Sequence, residues 1–225
     1  IQRSAEDHAG RKFYLHYRGV TGNADRIEVD LNFLHRVSFG RTRRCPLWQP
    51  EGLPRPTVAL AALEDTAAGK LCALLDRTKP RDLYDVSRLP QIAAAFWNTR
   101  SFRRLFVAFS GSLDHPLHSY GPGRLERVNQ AQVDAELAPM LVTGHLPLAE
   151  DLIRATWASM GHLLEIDAAE REFVDRLQTG ELRPELLFPE DSDMAVKVAG
   201  FPPLLWKVQN SARHRASRQV RRHDR

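Results

Sequence analysis

An isolated β-hairpin is at best marginally stable in water, and residues 12–33 read as one. Phe13, Leu15 and Tyr17 alternate with polar neighbours. After a turn-rich stretch, residues 19–25, comes a cleaner strand. Its Ile27, Val29, Leu31 and Phe33 point to one face, and Glu28, Asp30 and Asn32 to the other. The hairpin must therefore join further strands. Either residues 1–11 supply one, or a segment upstream does. The chain begins with Ile1 rather than Met.

The rest of the sequence is expected to be mainly helical. A proline-broken segment runs from Cys45-Pro46 to Pro54-Arg55-Pro56. Leu60, Leu63, Ala67, Leu71 and Leu74 then recur at three- and four-residue steps, which predicts an amphipathic helix to about Arg77. Pro80 opens a short helix, Arg81 to Leu89, that Pro90 closes. Residues 91–109 are aromatic-rich and read as helix, and Gly111 to Pro122 as a loop. Residues 124–141 and 147–164 are two further helices. Asp167 and Glu170 form a capping-box pattern ahead of a helix ending near Gly180. A last helix runs from Phe201 towards Ser211. The fold class is therefore α+β, with a partial sheet at the N-terminus.

Composition excludes several classes. At 43% hydrophobic and 27% charged residues the chain is ordinary for a globular protein. No apolar run approaches the ~20 residues of a membrane-spanning helix, so no membrane partner is expected. Cys45 and Cys72 are far apart, which supports neither a disulfide framework nor a cysteine zinc site and fits a reducing cytoplasm. The net charge of +4 suggests an anionic partner, but residues 211–225 hold six arginines and one aspartate, so residues 1–210 are near −1. The basic character belongs to a tail, 213–225, expected to be disordered. That tail could touch RNA by counterion release or simply aid solubility.

Two constellations could carry chemistry. Glu28 and Asp30 share one strand face and could help to hold Mg²⁺, which prefers hard oxygen ligands; a solvated sheet face is the plainer reading. Lys70, Arg77, Arg81, Asp82 and Asp85 form the second. Lys70 and Arg77 share a helix face, and Arg81 and Asp85 are neighbours at i,i+4. Two cations and two carboxylates on adjoining helices suit a nucleotide-phosphate site, or form a solvated salt-bridge ladder. Gly180-Glu181 followed by Asp191-Ser192-Asp193 mimics a Gly-Ser…DxD signature and is rejected, because Glu181 would repel phosphate and the acidic pair reads as an exposed loop. His115 and His118 lack a third metal ligand.

Three segments together resemble the AbiEii-type nucleotidyltransferase toxin family. They are Ile27-Glu28-Val29-Asp30-Leu31-Asn32-Phe33, residues 63–74 around Gly69-Lys70-Leu71, and Arg77-Thr78-Lys79-Pro80-Arg81-Asp82-Leu83-Tyr84-Asp85-Val86. Residues 172–210 fit the family's usual ending, so the resemblance covers about residues 12–212. It implies a polymerase-β-like nucleotidyltransferase sheet (1–50), a helical region (51–212) and the tail. It also implies a toxin of a type IV toxin–antitoxin and phage-defence system, with NTP as substrate, Mg²⁺ as cofactor, an antitoxin protein as partner and tRNA as a possible acceptor. On this resemblance Asp30 matches a metal carboxylate. Lys70 matches the lysine on nucleotide phosphate, Asp82 and Asp85 the acidic block after it, and Arg77 and Arg81 phosphate-binding or structural partners.

The family's first motif, Gly-Gly or Gly-Ser followed by DxD, is absent ahead of residue 12. The expectation is an N-terminally truncated chain without the main clamp for two-metal phosphoryl transfer. The rival expectation is a catalytically dead protein that binds antitoxin or RNA.

Overall fold

The structure, a computed structural model, describes residues 2–7, 10–142 and 144–211; the tail expected to be disordered, 213–225, lies outside the described residues. The alternation of residues 12–33 produces β2 (Gly10–Arg18) and β3 (Ala24–Asn32), antiparallel with Gly10 opposite Asn32 and Arg18 opposite Ala24. Gly22 closes the turn at φ 79°, a value that favours glycine. The third strand comes from the chain's own first residues: β1 (Gln2–Asp7) pairs antiparallel with β2. One face carries Phe13, Leu15, Tyr17, Ile27, Val29 and Leu31, yet little covers it, and Ile27 is 53% exposed.

A second sheet lies in the proline-broken segment. There β4 (Arg43–Pro46) and β5 (Thr57–Leu60) pair antiparallel, with Arg43 opposite Leu60 and Pro46 opposite Thr57. Pro50, Pro54 and Pro56 fall between the strands, where no ladder donor is lost. Leu60 thus belongs to a strand, and α1 (Leu63–Arg77) begins three residues later than its periodicity suggests.

The body is helical, so the chain is α+β. Helix α1 buries Ala67, Ala68, Leu71, Leu74 and Leu75 against α2 (Pro80–Ile92) and α3 (Arg100–Ser110). Pro90 lies inside the last turn of α2 rather than ending it at Leu89; so near the end its missing N–H forfeits one bond at most. The helix expected over 91–109 is interrupted by turns at 93–98, and α3 restarts where the Thr99 hydroxyl accepts the Phe102 N–H at 3.2 Å. Phe102, Leu105, Phe106, Val107, Ala108 and Phe109 are all buried, so α3 is the central helix.

Residues 124–141 form short turns instead of one helix. Asn129 starts a new capping box with Gln132 at α4 (Gln130–Gln132), and a π turn (Val133–Leu137) follows. Helix α5 (Ala149–Met160) packs on α2. Helix α6 (Ala168–Gln178) has the expected box, Asp167 accepting from Glu170 N at 2.9 Å and Glu170 from Asp167 N at 2.8 Å. Asp191 and Asp193 do not lie in a loop: Asp191 caps α7 (Ser192–Ala199) and accepts the Met194 N–H at 3.0 Å. Helix α8, residues 202–211, ends the described chain.

The segment after β3 is fastened to this body. Asp65, in the first turn of α1, accepts from Ser38 Oγ (2.9 Å), Phe39 N (3.0 Å) and Gly40 N (3.1 Å). Lys197 of α7 donates to the Phe39 carbonyl at 2.8 Å. Phe39 packs with Phe109 and Phe201, ring centroids 5.4 and 5.1 Å away. Gly111, at the end of α3, leaves no room for a side chain, because a Cβ there would press on the buried Leu177 and Leu204. Gly111→Ala is expected to lower stability by about 1–3 kcal/mol, read as a shift of the urea midpoint with an unchanged slope.

Candidate functional site

The corner between α1 and α2 collects five of the six candidate side chains. Thr78 makes the turn with φ 50°, a left-handed conformation that costs a β-branched residue about 1–3 kcal/mol. Three bonds hold it there. Its N–H and hydroxyl donate to the Leu74 carbonyl at 3.0 and 2.9 Å, and Arg124 Nε donates to its hydroxyl at 3.2 Å. Arg124 also donates to the Asp76 carbonyl. Neither Thr78 nor Arg124 is conspicuous in the sequence. The nearest signal is Pro80, which disfavours helix at the residue before it.

This turn lays Arg77 against Asp82. Arg77 Nε and Nη2 donate to the two carboxylate oxygens at 2.8 and 2.7 Å, and the Lys79 N–H donates to Oδ2 at 3.2 Å. Asp82 is fully buried. Arg77 is pushed further upward, first by its bond to Asp82. The Arg77–Asp82 pair is therefore a fastening between helices, and Asp82, sealed from water, has no room for a ligand. The same device recurs at α6, where buried Glu170 accepts from Arg103 Nε at 3.1 Å and from the Asp167 N–H.

The outer part of the corner is different. Lys70 Nζ donates to Asp85 Oδ2 at 2.6 Å, and both side chains are half-exposed. Arg81 is exposed, and among the described residues no hydrogen bond or ion pair holds it. Lys70, Asp85 and Arg81 are thus a cation, an anion and a second cation open to solvent across two packed helices.

Asp30 has a separate setting. Its partner is Lys12, directly opposite on β2, at 3.4 Å; Lys12 also binds Glu28. Lys12 is raised, chiefly by Glu28, and Glu28 is lowered, chiefly by Lys12. Among the described residues no group of three His, Cys, Asp or Glu could hold a metal ion. The ammonium already supplies the positive charge these two carboxylates need, so Glu28 and Asp30 do not by themselves fit a Mg²⁺ site.

A cavity of about 650 Å³ lies on another face of α1, lined by Asp65, Thr66, Gly69, Cys72, Ala73 and Asp76 of the helix. Spacings of one, three and four residues place this set on one side. His35, Arg36, Phe109 and Ser112 also line it. Burial lowers the His35 imidazole and raises the Cys72 thiol, so both are neutral near pH 7. Among the remaining candidates, His118 Nε2 lies 3.9 Å from Asp175 and its Nδ1 is buried without a partner, while His115 faces Tyr120.

Residues 1–182 match the model of the nucleotidyl transferase AbiEii toxin family of type IV toxin–antitoxin systems. The chain belongs to that family, whose members are nucleotidyltransferase toxins paired with an antitoxin. The match includes β1 and stops at Leu182, inside the segment 172–210 expected to be the family's ending. No curated protein and no solved structure matches the chain.

The Arg77–Asp82 fastening makes a stability prediction. Arg77→Met strands a buried carboxylate and is expected to cost about 3–5 kcal/mol, whereas Arg77→Met with Asp82→Leu should recover most of the loss. Urea unfolding of both variants checks this, the double variant being the more stable of the two.

Proposed function

We propose that this chain is the phosphate-binding part of a nucleotidyltransferase toxin that moves a nucleoside monophosphate from NTP to a hydroxyl acceptor, with tRNA as the acceptor class. In this reading residues 1–50 belong to a nucleotidyltransferase sheet, 51–212 form the helical region, and the protein works in the cytoplasm with an antitoxin as its check. One observation carries it. The lysine of the family-like block, Lys70, stands at the open end of the α1–α2 corner with a single carboxylate partner, Asp85.

Nucleotidyl transfer asks for little covalent work from protein groups. The bond from the acceptor oxygen to the α-phosphorus forms as the bond to pyrophosphate breaks, and catalysis rests on positioning and charge. Asp85 holds the Lys70 ammonium extended until triphosphate arrives. Lys70 then turns to the phosphate oxygens, and Arg81 offers a second cation one helical turn from Asp85. Arg77 and Asp82 act one step back, as positioning residues that keep the two helices at the required angle. Family members of this kind use divalent metal, but Asp30 and Glu28 are engaged by Lys12, so no step is routed through Mg²⁺ here. Asp30 would join a metal site only with carboxylates that the described residues do not bring to it.

A second reading, a binding protein without catalysis, is favoured by one observation: Glu28 and Asp30 are already engaged by Lys12. Incubation with each α-labelled NTP, Mg²⁺ and bulk tRNA separates the two. Transfer of label that falls about 10²-fold in Lys70→Ala, the size typical of losing one charge-stabilising donor, and is unchanged in the distant control Arg154→Ala supports the first. Labelling that persists in Lys70→Ala contradicts the site. No labelling by the wild-type chain favours the second.

A further inference from the structure

The β4–β5 hairpin gathers charge that the whole-chain balance hides. Residues 36–55 hold five arginines, Arg36, Arg41, Arg43, Arg44 and Arg55, against one carboxylate, Glu51. All five are exposed, and among the described residues none makes an ion pair. Elsewhere arginines are commonly matched: Arg77, Arg100, Arg103, Arg176 and Arg183 each meet a carboxylate. Arg44 instead donates to the Thr57 carbonyl at 3.3 Å, which lays its guanidinium along the hairpin.

An aromatic ring stands among these cations. Trp48 is 82% exposed, whereas Trp97 is 2% exposed in the core. The pairing of Cys45 with Val58 is continued by the Leu47 N–H donating to the Pro56 carbonyl at 2.9 Å. In that register Trp48 and Arg55 are the next opposed residues. Arg44, Pro46 and Trp48 alternate onto one side of the ladder, with Arg55, Thr57 and Ala59 across from them. The small residues leave the indole face uncovered. The loop beyond is tight: the Leu53 N–H donates to the Pro50 carbonyl at 3.2 Å, and Gly52 takes φ 83°. Prolines 46, 50, 54 and 56 reduce its freedom further. An exposed indole with Arg44 and Arg55 on the same side of the ladder is a surface on which a base stacks while phosphates on either side meet arginine.

We infer that the β4–β5 hairpin binds single-stranded nucleic acid, with Trp48 stacking on a base and Arg44 and Arg55, on the same side of the ladder, on the neighbouring phosphates. A paired strand buries its bases in its own stack and cannot present one to Trp48. The hairpin also adjoins the 650 Å³ cavity, whose lining includes Arg36, Thr42 and Ala61 at its foot. The inference does not rest on nucleotidyl transfer, since the binding needs no NTP.

The test is fluorescence anisotropy of labelled oligo(U), oligo(dT) and a duplex of mixed sequence with the full chain, over a salt series and without NTP. Single strands of both sugars should bind, the duplex more weakly, and Trp48 emission should be quenched. Trp48→Ala should weaken single-strand binding roughly ten-fold or more with the salt slope retained. Arg44→Gln and Arg55→Gln should each lower the slope by about 0.7. A full-length variant with Gln at the tail arginines Arg213, Arg215, Arg218, Arg221, Arg222 and Arg225 controls for the tail, and should keep the Trp48 dependence. Far-UV circular dichroism confirms that each variant is folded. Equal affinity for wild type and Trp48→Ala, preference for the duplex, or binding lost wholly with the tail arginines would each overturn the inference.

Discussion

A carboxylate sealed from water must find its full complement of donors inside the protein. Asp82 finds them in Arg77 at the end of α1 and in the Lys79 N–H at the start of α2. Because its partners lie on both sides of a single turn, the ion pair sets the angle at which α2 leaves α1. Thr78 bears the backbone strain of that angle, and Arg124 holds Thr78 in place. Helix α2 carries α5 through Leu83, whose carbonyl accepts from the buried Thr156 hydroxyl at 3.0 Å. Much of the helical body is therefore referred to one buried charge.

The same angle decides what the surface can do. Lys70 and Asp85 lie on different helices, fifteen residues apart, and meet at 2.6 Å only because the corner is closed. The function proposed above gives that pair its meaning: in it, a lysine at an open corner is a place for phosphate charge. The two ion pairs look alike on paper, yet burial separates them. Arg77–Asp82 is spent on architecture, and Lys70–Asp85 is free to exchange partners.

Much of this could be read from residue order, and the failures have physical causes. The hairpin at β2–β3, the buried face of α1 and the Asp167–Glu170 box follow from periodicity and capping chemistry, which are local. Leu60 was in phase with α1 by spacing alone, and only its pairing with Arg43 shows that it belongs to a strand. Four-residue strands broken by prolines carry too few residues to show a period of two, so β4 and β5 had no signal. At the site, spacing brings out Lys70, Arg77, Asp82 and Asp85 as a set but cannot say which carboxylate is buried, since that depends on α5 and on the turn at Thr78. The summed charge of residues 1–210 also misleads. A near-neutral total conceals five exposed arginines within residues 36–55, because sums carry no positions.

The chain has five lysines, at positions 12, 70, 79, 197 and 207, so each can be followed separately. Reductive ¹³C-methylation gives every lysine its own methyl resonances, assigned by single Lys→Arg variants. Titration with ATP and Mg²⁺ is then a direct test of the α1–α2 corner as the phosphate site. The Lys70 resonance should shift saturably, with Lys12 and Lys207 unmoved. A Lys70 resonance that stays put while ATP binds elsewhere, or while no lysine responds, would contradict the account.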